Sequence, residues 1–386
     1  MTTLPATERL LLGPGPSPVP PRVMRAMAAP VLGHLDPALL DLMDDIRTSL
    51  GRVFRAPEGS LALAVSGTGT SGMEAAVANL VAPGTRVVAV VNGYFGARLA
   101  DMAARYGGDV RRIDGEWGRA VDPGAVQRAL EEGGADVVAA VHAETSTGIE
   151  NPIAEIAAAG RAHDALVLVD AVTSLGGMPL DVSAWAVDAC YSGSQKCLGA
   201  PSGLAPLVFT PRALARRVPC RSFYLDLGLL QDYWVGRKYH HTIAATLVYA
   251  LREALLVVEE EGLETRWARH QRHHQVLTSG LEAMGLPLYP PAGERLWTLH
   301  TVRVPAGVDE AAVRRDLREA FNIEIGAGMG PLAGKVWRVG LMGAGSVPAS
   351  ILVLLGALEH ILRRMGHPVA PGAGTGAALD ALTADH

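Results

Sequence analysis

Short apolar runs alternate with helical patterns between about residues 60 and 210. The runs LALAV, VVAVV, VVAAV and ALVLV are continuous rather than alternating, which is typical of strands buried on both faces of a sheet. Segments such as TSGMEAAVANLVA and NPIAEIAAAG repeat their apolar residues with the period of a helix. This alternation of strands and helices predicts an α/β fold with a mostly parallel sheet.

The pattern changes in the last third of the chain. Residues 244–285 have the spacing of long helices, and Gly262 is expected to divide them into two. Beyond PLYPPAGE, the strand-like runs TLHTVRV and KVWRVG and two helical segments predict a small α+β domain. The expected organisation is an N-terminal arm, a large domain, a small C-terminal domain and a flexible tail, at 1–22, 23–260, 261–370 and 371–386.

Composition favours a globular enzyme over a nucleic-acid-binding or membrane protein. Hydrophobic residues make up 49% and charged residues 19% of the chain, and the net charge of −5 comes without a basic block. No segment reaches about 18 apolar residues free of charges and turn residues, so we expect no membrane span. We expect a cytoplasmic enzyme. The three cysteines lack CxxC or Cys/His spacing, which argues against a disulfide framework or a zinc site: Cys190, Cys197 and Cys220.

A glycine-rich turn, SGTGTSGMEAA, joins the run LALAV to a helical segment. The backbone N–H groups of Thr68, Gly69 and Thr70 and the positive end of that helix would point to one place, which suits a phosphate. An ordinary structural turn would contain the same glycines. A dinucleotide-binding turn would also require an acidic residue at the end of the next strand, where this chain has Asn92.

Two charged residues follow the predicted strands. Asp170 comes directly after the buried run ALVLV, and a buried carboxylate needs a positive partner unless it caps a turn. Lys196, one of only three lysines, lies in the Gly/Ser-rich stretch YSGSQK. A lysine in a water-poor site has a lowered pKa and can act as a nucleophile. The alternative is an ordinary exposed loop lysine, which stays protonated.

Two further residues complete a possible cofactor site. Phe95 in NGYFGAR offers a ring at a strand-to-helix turn, and Arg338 in KVWRVG lies in an apolar strand where it needs an anion. Pyridoxal phosphate requires a lysine, a carboxylate facing the pyridine nitrogen, phosphate donors and a stacking ring, and its amino-acid substrates require a guanidinium. Pyridoxal phosphate is therefore the single ligand that accounts for all five features.

With these motifs the sequence resembles the class V aminotransferases of fold type I, specifically the alanine–glyoxylate and serine–pyruvate aminotransferase group. The similarity runs from LLGPGPSPVPPRVM to KVWRVGLMG. It implies an α/β fold with a mostly parallel seven-stranded sheet in the large domain and a smaller C-terminal α+β domain. It also implies pyridoxal 5′-phosphate as the cofactor, with Lys196 as its Schiff-base lysine and Asp170 against the pyridine nitrogen.

The resemblance assigns roles to further residues. Phe95 would stack on the cofactor ring, and Arg338 would bind the substrate carboxylate. Tyr239 and Thr242 would reach the phosphate of the neighbouring subunit, which predicts a homodimer with shared active sites. The other cofactor contacts that it implies are the phosphate ligands Thr68, Gly69 and Thr70, Thr145 near the phenolic oxygen, Val172 against the ring, and Gln195.

Several segments, among them GEWGRAVDP and GPLAGKVWRVG, are similar to ureidoglycine–glyoxylate aminotransferases of purine catabolism. Those enzymes have glutamine and asparagine where this chain has His34 and Tyr239, and these amides are thought to bind the ureido group. A ureido substrate needs such matched donors and acceptors. We therefore expect the alanine–glyoxylate branch, with ureidoglycine as the alternative donor.

The implied reaction is ping-pong transfer of an amino group from alanine or serine to glyoxylate, with Lys196 moving the proton. A cysteine desulfurase, a lyase of the same fold, would need a reactive loop cysteine, for which Cys220 is the only weak candidate. His270, His273 and His274 share a helical spacing, but arginines surround them, so we expect a solvated basic face rather than a metal site.

Overall fold

A computed structural model describes residues 8–384. The strands are β1 Leu10–Leu11, β2 Leu61–Gly67, β3 Arg86–Val91, β4 Asp109–Asp114, β5 Val137–Val141, β6 Ala143–Glu144, β7 Ile149–Glu150, β8 Leu166–Asp170, β9 Ala189–Tyr191, β10 Gly203–Phe209, β11 Leu299–Arg303, β12 Ile323–Glu324, β13 Gly326–Ala327 and β14 Val336–Gly340.

The α-helices are α1 Pro21–Met27, α2 Pro37–Val53, α3 Gly69–Leu80, α4 Tyr94–Arg105, α5 Pro123–Gly133, α6 Ile153–Ala162, α7 Pro211–Ala215, α8 Leu227–Trp234, α9 Ala245–Glu261, α10 Leu263–Ala283, α11 Glu310–Ala320, α12 Pro348–Arg364 and α13 Ala373–Thr383. Short 3₁₀ turns lie at Ala292–Glu294, Gly330–Leu332 and Gly343–Gly345. Within residues 8–384, no helix is both long and apolar enough to span a bilayer.

The large domain is built on a seven-stranded sheet in the order β2-β10-β9-β8-β5-β3-β4. Only β10 runs antiparallel to its neighbours, so the prediction of a mostly parallel seven-stranded sheet is confirmed. Every residue of β5 and β8 is buried, because helices cover both faces of the sheet. The parallel arrangement brings the loops after β2, β3, β5 and β8 to one edge, where ligands bind in open α/β sheets.

A second hydrophobic core belongs to the C-terminal part of the chain. It combines the antiparallel sheet β11-β14-β13 with helices α10 to α13. Gly262 ends α9 and precedes α10 with a φ of +79°, a conformation that favours glycine. The expected break between two long helices is therefore confirmed.

The predicted arm, 1–22, is described from Glu8 onward, and its first seven residues lie outside the described part. Strand β1 pairs in parallel with β12 of the C-terminal part. The chain then crosses to the loop around Lys196, where the backbone N–H of Ser17 donates to the Gln195 carbonyl at 2.9 Å. The arm thus connects the second core to the edge of the large sheet.

The flexible tail predicted for 371–386 does not match the structure, in which α13 occupies most of this segment. Gly374 and Ala378 are buried where α13 packs on α10 and α12. A Cβ atom at Gly280 of α10 would lie 2.8 Å from the Gly374 carbonyl oxygen, so small residues on both helices permit close contact. The abundance of small residues had suggested a loose segment, but here it allows helix packing. Asp385 and His386 are outside the described residues.

The expectation of a solvated histidine face on α10 is also wrong. His270 is completely buried, and His273 is 6% exposed. The Gly343 N–H donates to His270 Nε2 at 3.1 Å, and burial lowers the pKa of His270 to about 3. The face packs against the loop after β14 instead of facing water.

The packing of α13 predicts opposite effects for two neighbouring positions. Ala378→Asp places a carboxylate at a fully buried site and should weaken docking of α13 by at least about 2 kcal/mol. Leu379→Asp, at a position that is 49% exposed, should leave docking unchanged and is the matched control. Hydrogen exchange of α13 measures both variants, and equal protection in the two would contradict the packing described.

Candidate active site

A cleft of about 510 Å³ opens at the carboxyl edge of the large sheet. Loops that follow β2, β3, β5, β8 and β9 supply its walls. Nine of the cofactor-site residues predicted from sequence line it: Thr68, Gly69, Thr70, Phe95, Thr145, Asp170, Val172, Gln195 and Lys196. The remaining lining residues are Met73, Arg98, Val141 and Ala143.

The glycine-rich turn forms the N-terminus of α3. Thr68 is the N-cap residue, and its side chain does not cap the helix. A Cβ atom at Gly69 would lie 2.8 Å from Val172 Cγ2, so glycine allows the turn to approach the loop after β8. The start of α3 therefore presents backbone N–H groups and two threonine hydroxyls to the cleft, as an anion site requires.

Asp170 ends β8 and is 3% exposed. One carboxylate oxygen accepts from the Val172 N–H at 2.8 Å, and the other accepts from the Tyr191 hydroxyl at 2.9 Å. Burial raises the pKa of Asp170 to about 6, and no Lys or Arg of residues 8–384 forms an ion pair with it. The cleft thus holds a desolvated carboxyl group suited to a cationic partner.

Lys196 follows β9 and is mostly buried. Burial lowers the pKa of its ammonium group to about 8, so the neutral, nucleophilic fraction near neutral pH is far larger than for an exposed lysine. Its Nζ donates to the Pro14 carbonyl of the arm. A Cβ atom at Gly15 would lie 2.5 Å from Nζ, so the glycine leaves room for the lysine side chain.

Gln195 and Thr145 contribute polar atoms to the same cleft. The Gln195 Oε1 atom is buried and has no hydrogen-bond partner within the described chain. The Thr145 hydroxyl lies 2.7 Å from that of Thr173. An unsatisfied buried acceptor indicates that a ligand donor completes this part of the site.

Phe95 is held by a carboxylate that the sequence analysis did not identify. Glu144, in β6, is completely buried and accepts from the backbone N–H groups of Phe95 at 3.1 Å and Gly96 at 3.0 Å. It also accepts from the Ser146 hydroxyl at 2.6 Å. Burial raises the pKa of Glu144 despite these hydrogen bonds. Glu144 therefore fixes the start of α4 and, with it, the position of the aromatic ring.

Arg338 lies on β14 beside the cleft and is 8% exposed. Its Nε donates to the Ala327 carbonyl at 2.7 Å, and its Nη1 donates to the Thr145 carbonyl at 3.3 Å. Burial lowers its pKa to about 10. No carboxylate of residues 8–384 forms an ion pair with it, so the guanidinium can accept an anionic ligand.

Besides Arg338, which lies beside the cleft, three predicted residues do not line it. Tyr239 is 61% exposed, Thr242 is exposed, and the His34 ring lies 5.1 Å from the Tyr239 ring. His34 and Tyr239 thus contact each other away from the cleft. A role in a cofactor site therefore requires a second subunit.

Two arginines also escaped the sequence analysis. Arg98 lines the cleft, and the spacing of FGAR, one helical turn after Phe95, could have indicated it. The buried Arg266 of α10 donates to the Cys197 carbonyl at 2.6 Å and to the Gly176 carbonyl at 3.0 Å. Arg266 therefore ties the loops that carry Lys196 and Asp170, and no local sequence signal marks it.

The arrangement combines a lysine that is partly neutral, a buried carboxyl group, an anion-binding helix end and a second cation for a carboxylate. This is the constellation of a transferase that forms a covalent bond with a carbonyl compound. A lyase using a reactive cysteine gains no support. The candidate Cys220 does not line the cleft, and burial raises the pKa of its thiol, while Cys197 is buried and burial raises its pKa to about 11.

Residues 9–352 match the family model for aminotransferase class V, and the chain belongs to this family. It is therefore a transaminase with the fold of the type I transferases, as the resemblance implied.

Two solved structures and one further relative are similar over almost the whole chain. The (S)-ureidoglycine–glyoxylate transaminase of Bacillus subtilis strain 168 is 39% identical, over 96% of this chain and 95% of the relative. The crystal structure of the Bacillus subtilis ureidoglycine–glyoxylate aminotransferase has a TM-score of 0.96 at 40% identity, covering 99% and 100% of the two chains. The alanine–glyoxylate aminotransferase of Nostoc sp. has a TM-score of 0.91 at 48% identity, covering 94% and 97%.

The lowered pKa of Lys196 predicts a specific pH dependence of stability in the cofactor-free protein. Between pH about 8 and 10.5 the unfolded chain binds the lysine proton more tightly, so the free energy of unfolding should rise with pH. The rise should approach about 3 kcal/mol and be absent in Lys196→Met. Denaturant unfolding across this window measures it, with exposed Lys335→Met as the control. Equal slopes for wild type and Lys196→Met would overturn the burial argument.

Proposed function

We propose that this transaminase uses pyridoxal 5′-phosphate to transfer the amino group of alanine or serine to glyoxylate. The observation that carries the proposal is the cleft shared by the mostly buried Lys196 and the buried Asp170, each with a pKa shifted by desolvation. A nucleophilic amine and a carboxylate that needs a cation are the two groups that this cofactor requires.

The unsatisfied groups of the cleft fit the cofactor. Asp170 would face the protonated pyridine nitrogen, since a buried carboxylate is stabilised by an adjacent positive charge. Gln195 Oε1 has no hydrogen-bond partner among residues 8–384 and would accept from a polar group of the ligand. Phe95 and Val172 would contact the two ring faces, and Thr145 would lie near the phenolic oxygen.

The cofactor supplies an electron sink for the carbon that bears the amino group. Lys196 would act as a base on the Cα proton of the donor and would return that proton as an acid. A pKa of about 8 allows the amine to serve in both directions. Arg338 orients the substrate carboxylate, and the Glu144-fixed start of α4 keeps the Phe95 ring in place.

Two considerations support alanine or serine as donor. The Nostoc alanine–glyoxylate enzyme shares 48% of its residues with this chain, against 40% for the ureidoglycine–glyoxylate structure. His34 and Tyr239 also stand where the ureidoglycine enzymes have amides, and their rings contact each other. A ring pair does not supply the matched donors and acceptors that a ureido group needs.

A homodimer with shared active sites is part of the proposal. Tyr239 is 61% exposed, and two other large apolar side chains are also exposed: Phe223, whose ring stacks on that of His240, at 71%, and Val31, three residues before His34, at 74%. An apolar surface of this kind is typical of a subunit interface. Tyr239 and Thr242 would cross it to reach the phosphate in the neighbouring subunit.

A donor screen tests the choice of substrate. Alanine or serine, added without acceptor, should discharge the visible absorbance of the bound cofactor, and glyoxylate should restore it. The variant Arg338→Gln should raise the donor KM by about 10- to 100-fold, because it removes a charged hydrogen-bond donor from the substrate carboxylate. Stopped-flow absorbance measures each half-reaction separately.

The ureidoglycine alternative has its own signature. Fast discharge by ureidoglycine alone would show that His34 and Tyr239 do not select the donor. If the proposal is correct, the double variant His34→Gln, Tyr239→Asn should instead gain reaction with ureidoglycine by about tenfold or more. Its unfolding midpoint provides the control for folding.

Complementation tests the shared sites. Lys196→Met and the double variant Tyr239→Ala, Thr242→Ala should each be strongly impaired as homodimers. Co-expression should restore about a quarter of wild-type activity, because half of the randomly paired dimers contain one native site. Activity in the mixed sample that only equals the average of the two parents would place all site residues within one chain.

A further inference from the structure

Arg98 is a charged group of the cleft that the proposed reaction does not use. Three of the lining residues carry a charge: Arg98, Asp170 and Lys196. Asp170 and Lys196 have roles at the pyridine nitrogen and the reacting carbon. Their opposite charges also offset each other, so Arg98 gives the cleft its net positive charge.

The position of Arg98 places it beside the glycine-rich turn. Its Nη1 donates to the Thr70 Oγ1 atom, in the first turn of α3, at 3.1 Å. Its guanidinium carbon lies 5.2 Å from the centre of the Phe95 ring, which is one helical turn earlier on α4. The guanidinium therefore lies between the aromatic ring and the start of α3.

No acidic side chain neutralises Arg98. Its side-chain hydrogen bonds within residues 8–384 go to the hydroxyl groups of Thr70 and Tyr94, and it forms no ion pair there. An arginine in a cleft without a carboxylate partner is suited to an anionic ligand, which its planar fork can bind through two parallel N–H groups.

The other cations near this end of the cleft are accounted for. His241 Nε2 lies 2.8 Å from the Ser66 hydroxyl at the end of β2, but burial lowers the pKa of His241 to about 4, so the ring is neutral. The two cations just before Tyr239 are also paired. Arg237 forms ion pairs with Asp41 at 2.8 Å and Asp44 at 2.7 Å. Lys238 forms an ion pair with Asp232 at 3.0 Å. Residues on the Tyr239 segment therefore bring no unpaired charge to a neighbouring site.

The charge of a phosphate monoester exceeds what the helix end can balance. Such a group carries about −1.5 to −2 charges near neutral pH, whereas a helix N-terminus supplies the equivalent of about +0.5. The threonine hydroxyls of the turn add dipoles but no charge. A dianion in a partly desolvated cleft requires a cation within hydrogen-bonding reach.

We propose that Arg98 is a phosphate-binding residue that donates to the cofactor phosphate at the turn formed by Thr68, Gly69 and Thr70. The inference rests on the proposed function, since it assigns the phosphate end of pyridoxal phosphate to this turn. In the cofactor-free protein Arg98 donates to Thr70 Oγ1. With the cofactor bound, its guanidinium balances the phosphate charge next to the ring of Phe95.

Two ligands separate the phosphate contribution from every other contribution to binding. Pyridoxal 5′-phosphate and pyridoxal differ only in the phosphate, and isothermal titration of each into full-length cofactor-free protein gives two dissociation constants. The variants are Arg98→Gln, Arg98→Lys and Arg105→Gln. Arg105 is exposed on the same helix outside the cleft, so its variant removes the same charge as a control. Unfolding midpoints verify that each variant folds.

Arg98→Gln should raise the dissociation constant for pyridoxal phosphate by about 10- to 100-fold and leave that for pyridoxal unchanged. Arg98→Lys should give a smaller loss because it keeps the charge without the fork. Arg105→Gln should match wild type for both ligands. Unchanged pyridoxal phosphate binding in Arg98→Gln would overturn the assignment. Equal losses for both ligands would also overturn it, because Arg98 would then act only by supporting Phe95.

This experiment separates the inference from the proposed function. If wild-type protein does not bind pyridoxal phosphate, the proposed cofactor itself is wrong. If wild type binds it and Arg98→Gln binds it equally well, the cofactor is correct and only the role of Arg98 is wrong.

Discussion

The constraint on which the site depends is the burial of the Asp170 carboxyl at the end of a fully covered strand. Two neutral donors, the Val172 N–H and the Tyr191 hydroxyl, satisfy its oxygens but supply no full positive charge. The folded chain therefore keeps a desolvated acid at the base of its cleft, and a cationic ligand beside this carboxyl group would stabilise its anion further. The lowered pKa of Lys196 has the same origin, because both groups lie in one water-poor space.

Segments that belong to both hydrophobic cores hold the loops of this cleft in position. The backbone after Lys196 is held by Arg266 of α10, which also holds the loop after β8, and the lysine amine itself contacts the arm at Pro14. The arm in turn pairs with β12, in the C-terminal part. The segments that carry Lys196 and Asp170 are thus held in place by hydrogen bonds from α10 and from the arm.

The sequence allowed prediction of those features that depend on strand order and local pattern. Asp170 and Lys196 follow apolar runs, and the carboxyl ends of parallel strands must meet at one edge of the sheet. The sequence did not predict the roles of three buried or cleft residues, Glu144, Arg98 and Arg266. Their roles arise from contacts between distant segments, such as the contact of Glu144 with the start of α4. Helix α13 was not predicted because a segment rich in small residues has the composition of a linker. Its helical packing becomes evident only from the close contact with α10. Tertiary contact decides these cases, and local propensity does not.

The charges of the cleft also explain why two anions can be kept apart in one small space. Arg338, on β14 of the C-terminal part, donates to the carbonyls of Ala327 and Thr145. Arg98 lies on α4 of the large domain, beside the start of α3. Each guanidinium keeps donors free of carboxylates of the described chain, so each can accept a separate anionic group.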